Sequence, residues 1–271
     1  MLSHLIIAAV IVIVFIAIAR ITGSAKGKRG NSLNKFEPQR PQPSSNTFTV
    51  ATFNIQGGKN LNGERDIDRS SQAIKEVDLI GVQEAYAPTH INKLKLGFSQ
   101  TELLAQPGRF DWLFCATKTR WFREFRGNSI LSKLDTKSWS TQMLPHKVGN
   151  NFRNMAVVEM NWQGEDFHFI NTHLHTKDGK EEQFNAVMEE FNKHSRAILV
   201  GDFNSKPHEA HIINMLSNDD IVDAINVCDI DFNEENRIDW ILCKGFKVHE
   251  GKMIEKGISD HPYYQVTLSI I

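Results

Sequence analysis

The chain has 271 residues, with 31 Lys plus Arg against 32 Asp plus Glu and three cysteines. A net charge near −1 excludes a global polyanion-binding surface, so phosphate or nucleic-acid binding must be local. Cys115, Cys228 and Cys243 form no CxxC pair, which argues against a disulfide framework and a zinc site; each is expected to fill space in or near a strand.

Leu5–Ala19 is an unbroken apolar run of 15 residues. A spanning helix needs roughly 20 residues, and Met1–His4 lacks the Lys or Arg of a secretory signal. With Arg20 snorkelling and Met1, Leu2 and Ile21 lengthening the run, residues 1–22 are expected to form a single-pass membrane anchor. A cleaved signal, giving a secreted domain, is the alternative. Arg20, Lys26, Lys28 and Arg29 follow the run and favour a cytoplasmic domain. Residues 23–46 are mostly Gly, Ser, Lys, Asn and Gln with three prolines, and read as a flexible linker. The folded domain is expected over 47–271.

Thr47–Ile55 is a strand by its β-branched and aromatic content, ended by Gln56, Gly57 and Gly58 with Asn54 at its end. Ile67, Ser71 and Ile74 recur at helical spacing, with Asp68 or Ser70 as cap. Leu79–Val82 is a short buried strand that delivers Glu84. His90–Leu104 reads as a polar helix. Trp112–Ala116 is a strand, after which Lys118, Arg120, Arg123 and Arg126 interleave with Trp121, Phe122 and Phe125. That interleaving either tracks phosphates or headgroups, or is a solvated loop with its aromatics turned inward. Asn128 precedes the next strand.

Met155–Asn161 and Phe167–Leu174 are expected to form a hairpin around Trp162–Glu165, with Gly164 in the turn. Parity puts Phe167, Phe169, Asn171 and His173 on one face, an apolar core running out into polar groups. Glu181–Lys193 is an amphipathic helix carrying Phe184, Val187, Met188 and Phe191. Ile198–Val200 is a short strand buried on both faces. Gly201 follows it, then Asp202 and Asn204, which suit either a functional site or an Asx turn. Residues 208–216 form a weaker helix, and Asp219–Glu235 an acidic loop with a short edge strand. Asp239 lies inside the apolar strand Arg237–Cys243 and needs a partner there. Lys247–His249 is a further strand, and Asp260, His261 and Pro262 open the last one, Tyr263–Ile270. Strands that mostly follow one another, with few helices between, predict two packed mixed or antiparallel sheets with helices outside.

Polar residues thus collect at strand ends: Asn54, Glu84, Asn128, His173, Asp202, Asn204, Asp239, Asp260 and His261. Glu84 and Asp260 with amide oxygens are hard ligands that suit Mg²⁺ or Mn²⁺. Imidazoles accept and donate protons near neutrality, and amide NH₂ groups hold phosphoryl oxygens without adding charge. The combination points to metal-assisted hydrolysis of a phosphate ester.

Seven short motifs then resemble, in order, those of the endonuclease/exonuclease/phosphatase superfamily. They are Phe53-Asn54-Ile55, Val82-Gln83-Glu84, Gly127-Asn128-Ser129, Asn171-Thr172-His173-Leu174, Gly201-Asp202-Phe203-Asn204, Arg237-Ile238-Asp239-Trp240 and Ser259-Asp260-His261-Pro262. The resemblance covers about residues 47–271 and implies a four-layer α/β sandwich. It implies Glu84 as the main Mg²⁺ ligand, with Asn54 beside it and Asp260 near the metal or its waters. His261 would be the general base, oriented by Asp239, and His173 would contact the phosphate. Asp202 and Asn204 would position nucleophile and phosphoryl group, with either Asp202 or His261 taking the proton, and Asn128 would complete the pocket. The implied partner is a phosphate ester, whether a phospholipid headgroup, a phosphorylated small molecule or a nucleic acid; no protein partner is inferable. A membrane-tethered nuclease fits the same residues, and a scaffold without activity fits the same fold.

Overall fold

The computed structural model describes residues 2–20, 22–24, 28–31, 33, 46–89, 98–120, 124–145, 152–177, 179–231 and 233–271. A helix, α1 (Leu2–Arg20), precedes strands β1 (Thr22–Ser24), β2 (Lys28–Asn31) and β3 (Phe48–Asn54). Then come α2 (Ile67–Ile74), β4 (Leu79–Pro88), α3 (Gln100–Gly108), β5 (Asp111–Arg120), β6 (Glu124–Ser132) and β7 (Asp135–Met143). The hairpin β8 (Asn154–Trp162) and β9 (Glu165–His173) leads to α4 (Lys180–Asn192), β10 (Ala197–Asp202), α5 (Ala210–Leu216), β11 (Val222–Asp223) and α6 (Ala224–Val227). The chain closes with β12 (Asp239–Lys244), β13 (Phe246–Ile254) and β14 (Tyr263–Ile270).

Two mixed sheets form, ordered β1-β5-β6-β4-β3-β14-β13 (with β2 also on β5) and β11-β12-β10-β9-β8-β7. Phe48, Val50, Val158, Phe169, Ile198 and Val200 pack between them. Alternate residues of the first sheet, such as Ala51, Ile80 and Val82, turn outward onto Ile74 of α2 and Leu104 of α3. On the second sheet Ile170, Leu199 and Trp240 turn outward onto Phe184 and Phe191 of α4 and Ile212 of α5. The expected α/β sandwich of two sheets flanked by helices is present. Period-2 alternation in strands covered on both sides sorts the apolar residues into three cores.

The single-pass membrane anchor expected over residues 1–22 is corrected. Among the described residues no helix is long and apolar enough to cross a membrane. The 15-residue run Leu5–Ala19 spans only ~22 Å at 1.5 Å per residue, against a hydrocarbon core of about 30 Å. The membrane localisation and the orientation argument fall with it. Within the stretch expected as a linker, β1 and β2 pair antiparallel with β5. The start of the expected helix at 90–97, and Trp121, Phe122 and Arg123 of the basic–aromatic loop, lie outside the described residues.

Two glycines let the sheets and strands close up under the site. A Cβ on Gly81 would lie 2.4 Å from Val200 Cγ2 and 2.8 Å from Asn171 Cγ in the facing sheet. Gly201 has φ +147°, and a Cβ there would meet the Thr172 carbonyl oxygen at 2.0 Å. It is required inside β10, where β9 presses against it, and the turn follows one residue later.

Candidate active site

Strand register builds the site in two facing rows. In the second sheet Asp202 of β10 pairs with His173 of parallel β9 on one side and with Asp239 of antiparallel β12 on the other. In the first sheet Asn54 of β3 pairs with Gln83 of parallel β4. Glu84 follows at a bulge between Val82 and Ala85, and β14 runs antiparallel to β3 on its other side. Asp260 and His261 immediately precede β14 and so arrive beside Asn54. The Ser259 hydroxyl fixes them, 2.7 Å from the Asn54 carbonyl oxygen and 3.2 Å from Asp260 Oδ1.

The rows meet through polar contacts. Asn54 Nδ2 donates to Asp202 Oδ2 at 3.0 Å, and His173 Nε2 lies 3.3 Å from the same oxygen. His261 Nδ1 is 2.7 Å from Asp239 Oδ2, while its Nε2 is 3.5 Å from Asn54 Nδ2 and 3.7 Å from Asp202 Oδ2. Asp202 and Asp239 are each only 2 % exposed. Burial therefore raises the Asp202 carboxyl to about 7, with Asp239 adding to the rise. For His261 burial opposes charging, but Asp239, Asp202 and Asp260 outweigh it and hold the imidazole up at about 9. His173 is held well below the ordinary imidazole range by burial, then by Arg153 and His261, and is neutral at pH 7.

Asp239 has found the partner its strand required, His261, although its second oxygen is buried without a hydrogen bond among the described residues. Glu84 is half-buried in a left-handed backbone conformation, φ +62°. Asn204 is left-handed as well, φ +49°. Such backbone costs ~1–3 kcal/mol for a non-glycine residue and is retained only where surroundings impose it. Both amides expected to bind substrate are tied to protein groups. Asn204 Nδ2 donates to the Leu174 carbonyl at 3.0 Å and its backbone N–H to Asp202 Oδ1 at 2.9 Å, which is the Asx turn. Asn128 Nδ2 donates to Asn154 Oδ1 at 3.0 Å and braces the two sheets.

Arg153, immediately before β8, was not singled out by the sequence. Burial lowers its pKa, and the Asp202 and Glu84 carboxylates act against that fall. Its Nε is buried without a partner among the described residues. A lone cation ahead of an apolar strand resembles any loop arginine in sequence, and only the fold brings it to the site.

Residues 51–261 match the Endonuclease/Exonuclease/phosphatase family. The chain belongs to that family. Its members hydrolyse phosphoesters and are typically dependent on a divalent metal. Among solved structures it is similar to an endonuclease/exonuclease/phosphatase from Beutenbergia cavernae at 17 % identity and TM-score 0.67, covering 83 % of this chain and 72 % of that one. A mannosyl-6-phosphatase from Bacteroides thetaiotaomicron is similar at 19 % identity and TM-score 0.63, covering 82 % and 100 %. The human Nocturnin catalytic domain with bound sulfate is similar at 14 % identity and TM-score 0.61, covering 83 % and 94 %. At such identities these likenesses speak for the fold alone. No curated protein sequence matches the chain.

The donors fit a hard divalent cation. Glu84 and Asp260 offer carboxylate oxygens and Asn54 an amide oxygen. Among the described residues nothing hydrogen-bonds or ion-pairs the Glu84 carboxylate, which leaves it available as a ligand. Asp202, Asp239 and His261 form a second acidic group, with one ligand atom from each within 4.8 Å of the others.

Proposed function

We propose that this family member is a Mg²⁺- or Mn²⁺-dependent phosphoesterase in which Glu84, Asn54 and Asp260 hold the cation. The reading is supported above all by the convergence on Asp202 Oδ2 of Asn54, His173 and His261, from both sheets. A divalent cation bound there would neutralise charge developing on the phosphoryl oxygens. Asp239 fixes the His261 ring, so Nε2 faces Asp202 and the space beside it. The His261–Asp202 pair takes the proton from the attacking water; two groups this close titrate as a unit. Neutral His173 donates a hydrogen bond toward the phosphoryl group, and Arg153 supplies the cation that opposes its charge. Asn204 and Asn128 serve this pocket by holding its walls, the β10 turn and the brace between the sheets.

The test is turnover of bis(4-nitrophenyl) phosphate and of a simple phosphomonoester by the purified full chain with Mg²⁺ or Mn²⁺. Activity that EDTA abolishes, and that Glu84→Gln lowers while raising the metal concentration needed, is the expected result. A folded chain without metal-dependent turnover on any phosphoester would return the domain to the scaffold reading.

A further inference from the structure

Glu84 stands where the alternation of β4 breaks. Ile80 and Val82 turn outward onto the helices, and so do Ala85 and Ala87. Even positions face outward before Glu84 and odd positions after it, so one extra residue lies between Val82 and Ala85. The strand pairing agrees. Val82 pairs with Ser129 of β6 and Ala85 with Gly127, which sets Gln83 and Glu84 against Asn128 alone. In an unbroken strand Glu84 would share the outward face of Val82, away from the second sheet. Its left-handed backbone, φ +62°, releases it from that face, and its charge acts on Arg153 at the head of β8.

A non-glycine residue keeps such backbone only where its surroundings impose it. Here the restraint comes from the facing sheet. Gln83 and Asn171 are both fully buried. Gln83 Nε2 donates to Asn171 Oδ1 of β9 at 2.8 Å, across the gap between the sheets. Asn171 Nδ2 donates back, to the Val82 carbonyl at 3.2 Å and to the Ser129 carbonyl at 2.8 Å. Those two carbonyls belong to the last pair before the register shifts. Gln83 Nε2 also donates to Thr52 Oγ1 and to the Gly81 carbonyl, each at 3.2 Å, and the Gln83 carbonyl accepts from the Ile55 N–H at 3.2 Å. Beyond the bulge the Tyr86 N–H donates to Gln100 Oε1 at 2.9 Å. Glu84 is the extra residue between two anchored ones. Apolar side chains could fill the space at 83 and 171 and join the sheets as well. What a satisfied amide pair adds is a single fixed register at that point.

We propose that Gln83 and Asn171 are positioning residues for the cation: their cross-sheet amide pair fixes the bulge that presents Glu84. Glu84 as a metal ligand is the reading this rests on, and the pair is what aims it. Asn171 also lies two residues before His173 on the same face of β9. One contact between the sheets therefore sets the metal-holding end of β4 against the phosphate-facing end of β9.

Metal binding is measured without turnover. Mn²⁺ is titrated into the purified full chain, and the free aqua ion is followed by electron paramagnetic resonance. Gln83→Met and Asn171→Leu keep the side-chain shape and remove the amides. Each is expected to weaken Mn²⁺ binding by about ten-fold, the cost of losing a group that orients a ligand. The double variant should bind no more than about two-fold more weakly than the weaker single one, because both changes remove the same bridge. Val158→Ala, a truncation in the same core between the sheets, should lower Tm and leave Mn²⁺ affinity unchanged. Asn171→Ser, a milder loss of the same contacts, decides where either amide variant does not fold. Wild-type Mn²⁺ affinity in the folded amide variants, or an equal loss in Val158→Ala, overturns the proposal. Glu84→Gln tells the two readings apart. If it loses Mn²⁺ affinity while the amide variants keep theirs, Glu84 remains the ligand and the positioning role alone is gone. A folded wild-type chain that binds no Mn²⁺, or a Glu84→Gln variant that binds it as tightly as wild type, removes the metal reading and the positioning role with it.

Discussion

Asn54 and Asp202 stand 148 residues apart in sequence, and the 3.0 Å bond from Asn54 Nδ2 to Asp202 Oδ2 ties the end of β3 to the end of β10. The two strands belong to different sheets, so this bond sets how far apart the sheets stand at the site. It also gives a buried carboxylate one of the donors that make its ionised form tolerable. Removing it in Asn54→Ala should push the Asp202 pKa further up and lower kcat/KM by about 10–100-fold, as for loss of one well-placed polar contact. A kcat/KM–pH profile measures both effects: the rising limb should move to higher pH. An unmoved limb with unchanged kcat/KM would detach Asn54 from the chemistry.

The buried charges make stability depend on pH with a definite sign. Asp202 titrates at about 7 in the folded protein against an ordinary 3.8, and His261 at about 9 against 6.5. Both groups therefore keep protons longer in the folded state than in the unfolded one, and stability falls as pH rises. The His261 contribution is complete below about pH 6.5 and gone above about pH 9, while the Asp202 penalty grows from about pH 4 to about pH 7. Asp202→Asn removes the second effect and also the share of the His261 elevation that Asp202 supplies. In metal-free buffer its Tm advantage over wild type should grow between about pH 4 and pH 7 and go on growing more weakly toward about pH 9, while its activity is lost. Thermal melts across that range decide the matter, and a pH-independent difference would place the perturbed group elsewhere.

His261 and Asp239 act through one bond of 2.7 Å. His261→Ala should lose about 10²–10⁴-fold in kcat as for a missing acid–base group. Asp239→Asn should lose less, because the ring survives without its anchor. Residues that work as a unit are not additive, so the double variant should be no slower than about the single His261→Ala. Single-turnover rates provide the comparison. Additive losses would mean that Asp239 does something other than hold His261.

The sheet strands and most residues of the candidate site are legible in the sequence because short motifs and period-2 alternation are local. Tyr263–Ile270 was read with its observed bounds, and the hairpin around Gly164 fell within a residue or two. Strand ends were harder. Leu79–Val82 was read as ending before Gln83, yet β4 runs on to Pro88 because β6 supplies partners beyond the bulge at Glu84. β7 carries alternating polar residues on an edge and gave no apolar signal. Asp219–Glu235 reads as an acidic loop with a short edge strand, and the edge strand is there, but Asp223 is buried in a bidentate pair with Arg237, whose carboxylate and guanidinium are 14 positions apart. Pairings of that kind have no sequence period. The Asx turn offered for Asp202 and Asn204 is present, and it sets the Asp202 carboxylate beside Asn54, His173 and His261.

Arg153 carries the last expectation. It directly precedes Asn154, whose Nδ2 donates to the carbonyls of Cys115 and Ala116, each at 3.3 Å, and whose Oδ1 accepts from Asn128. The arginine is thereby presented from an anchored strand start, and the Asp202 and Glu84 carboxylates favour its charged form while burial, the larger effect, opposes it. Its buried Nε, without a hydrogen bond among the described residues, costs ~1–3 kcal/mol, which a packed apolar side chain of similar length would not incur. Arg153→Met should therefore leave the fold as stable or more so, while removing a charge-assisted contact to phosphate. Charge-assisted hydrogen bonds of ~1.5–3 kcal/mol correspond to about 10–100-fold in kcat/KM. Arg153→Lys should recover part of that, since a point charge replaces the fork but not its geometry. Melting curves and steady-state kinetics on bis(4-nitrophenyl) phosphate read the two effects separately. A destabilised Met variant with unchanged kcat/KM would make Arg153 a structural ion partner of Asp202 and remove it from the phosphate pocket.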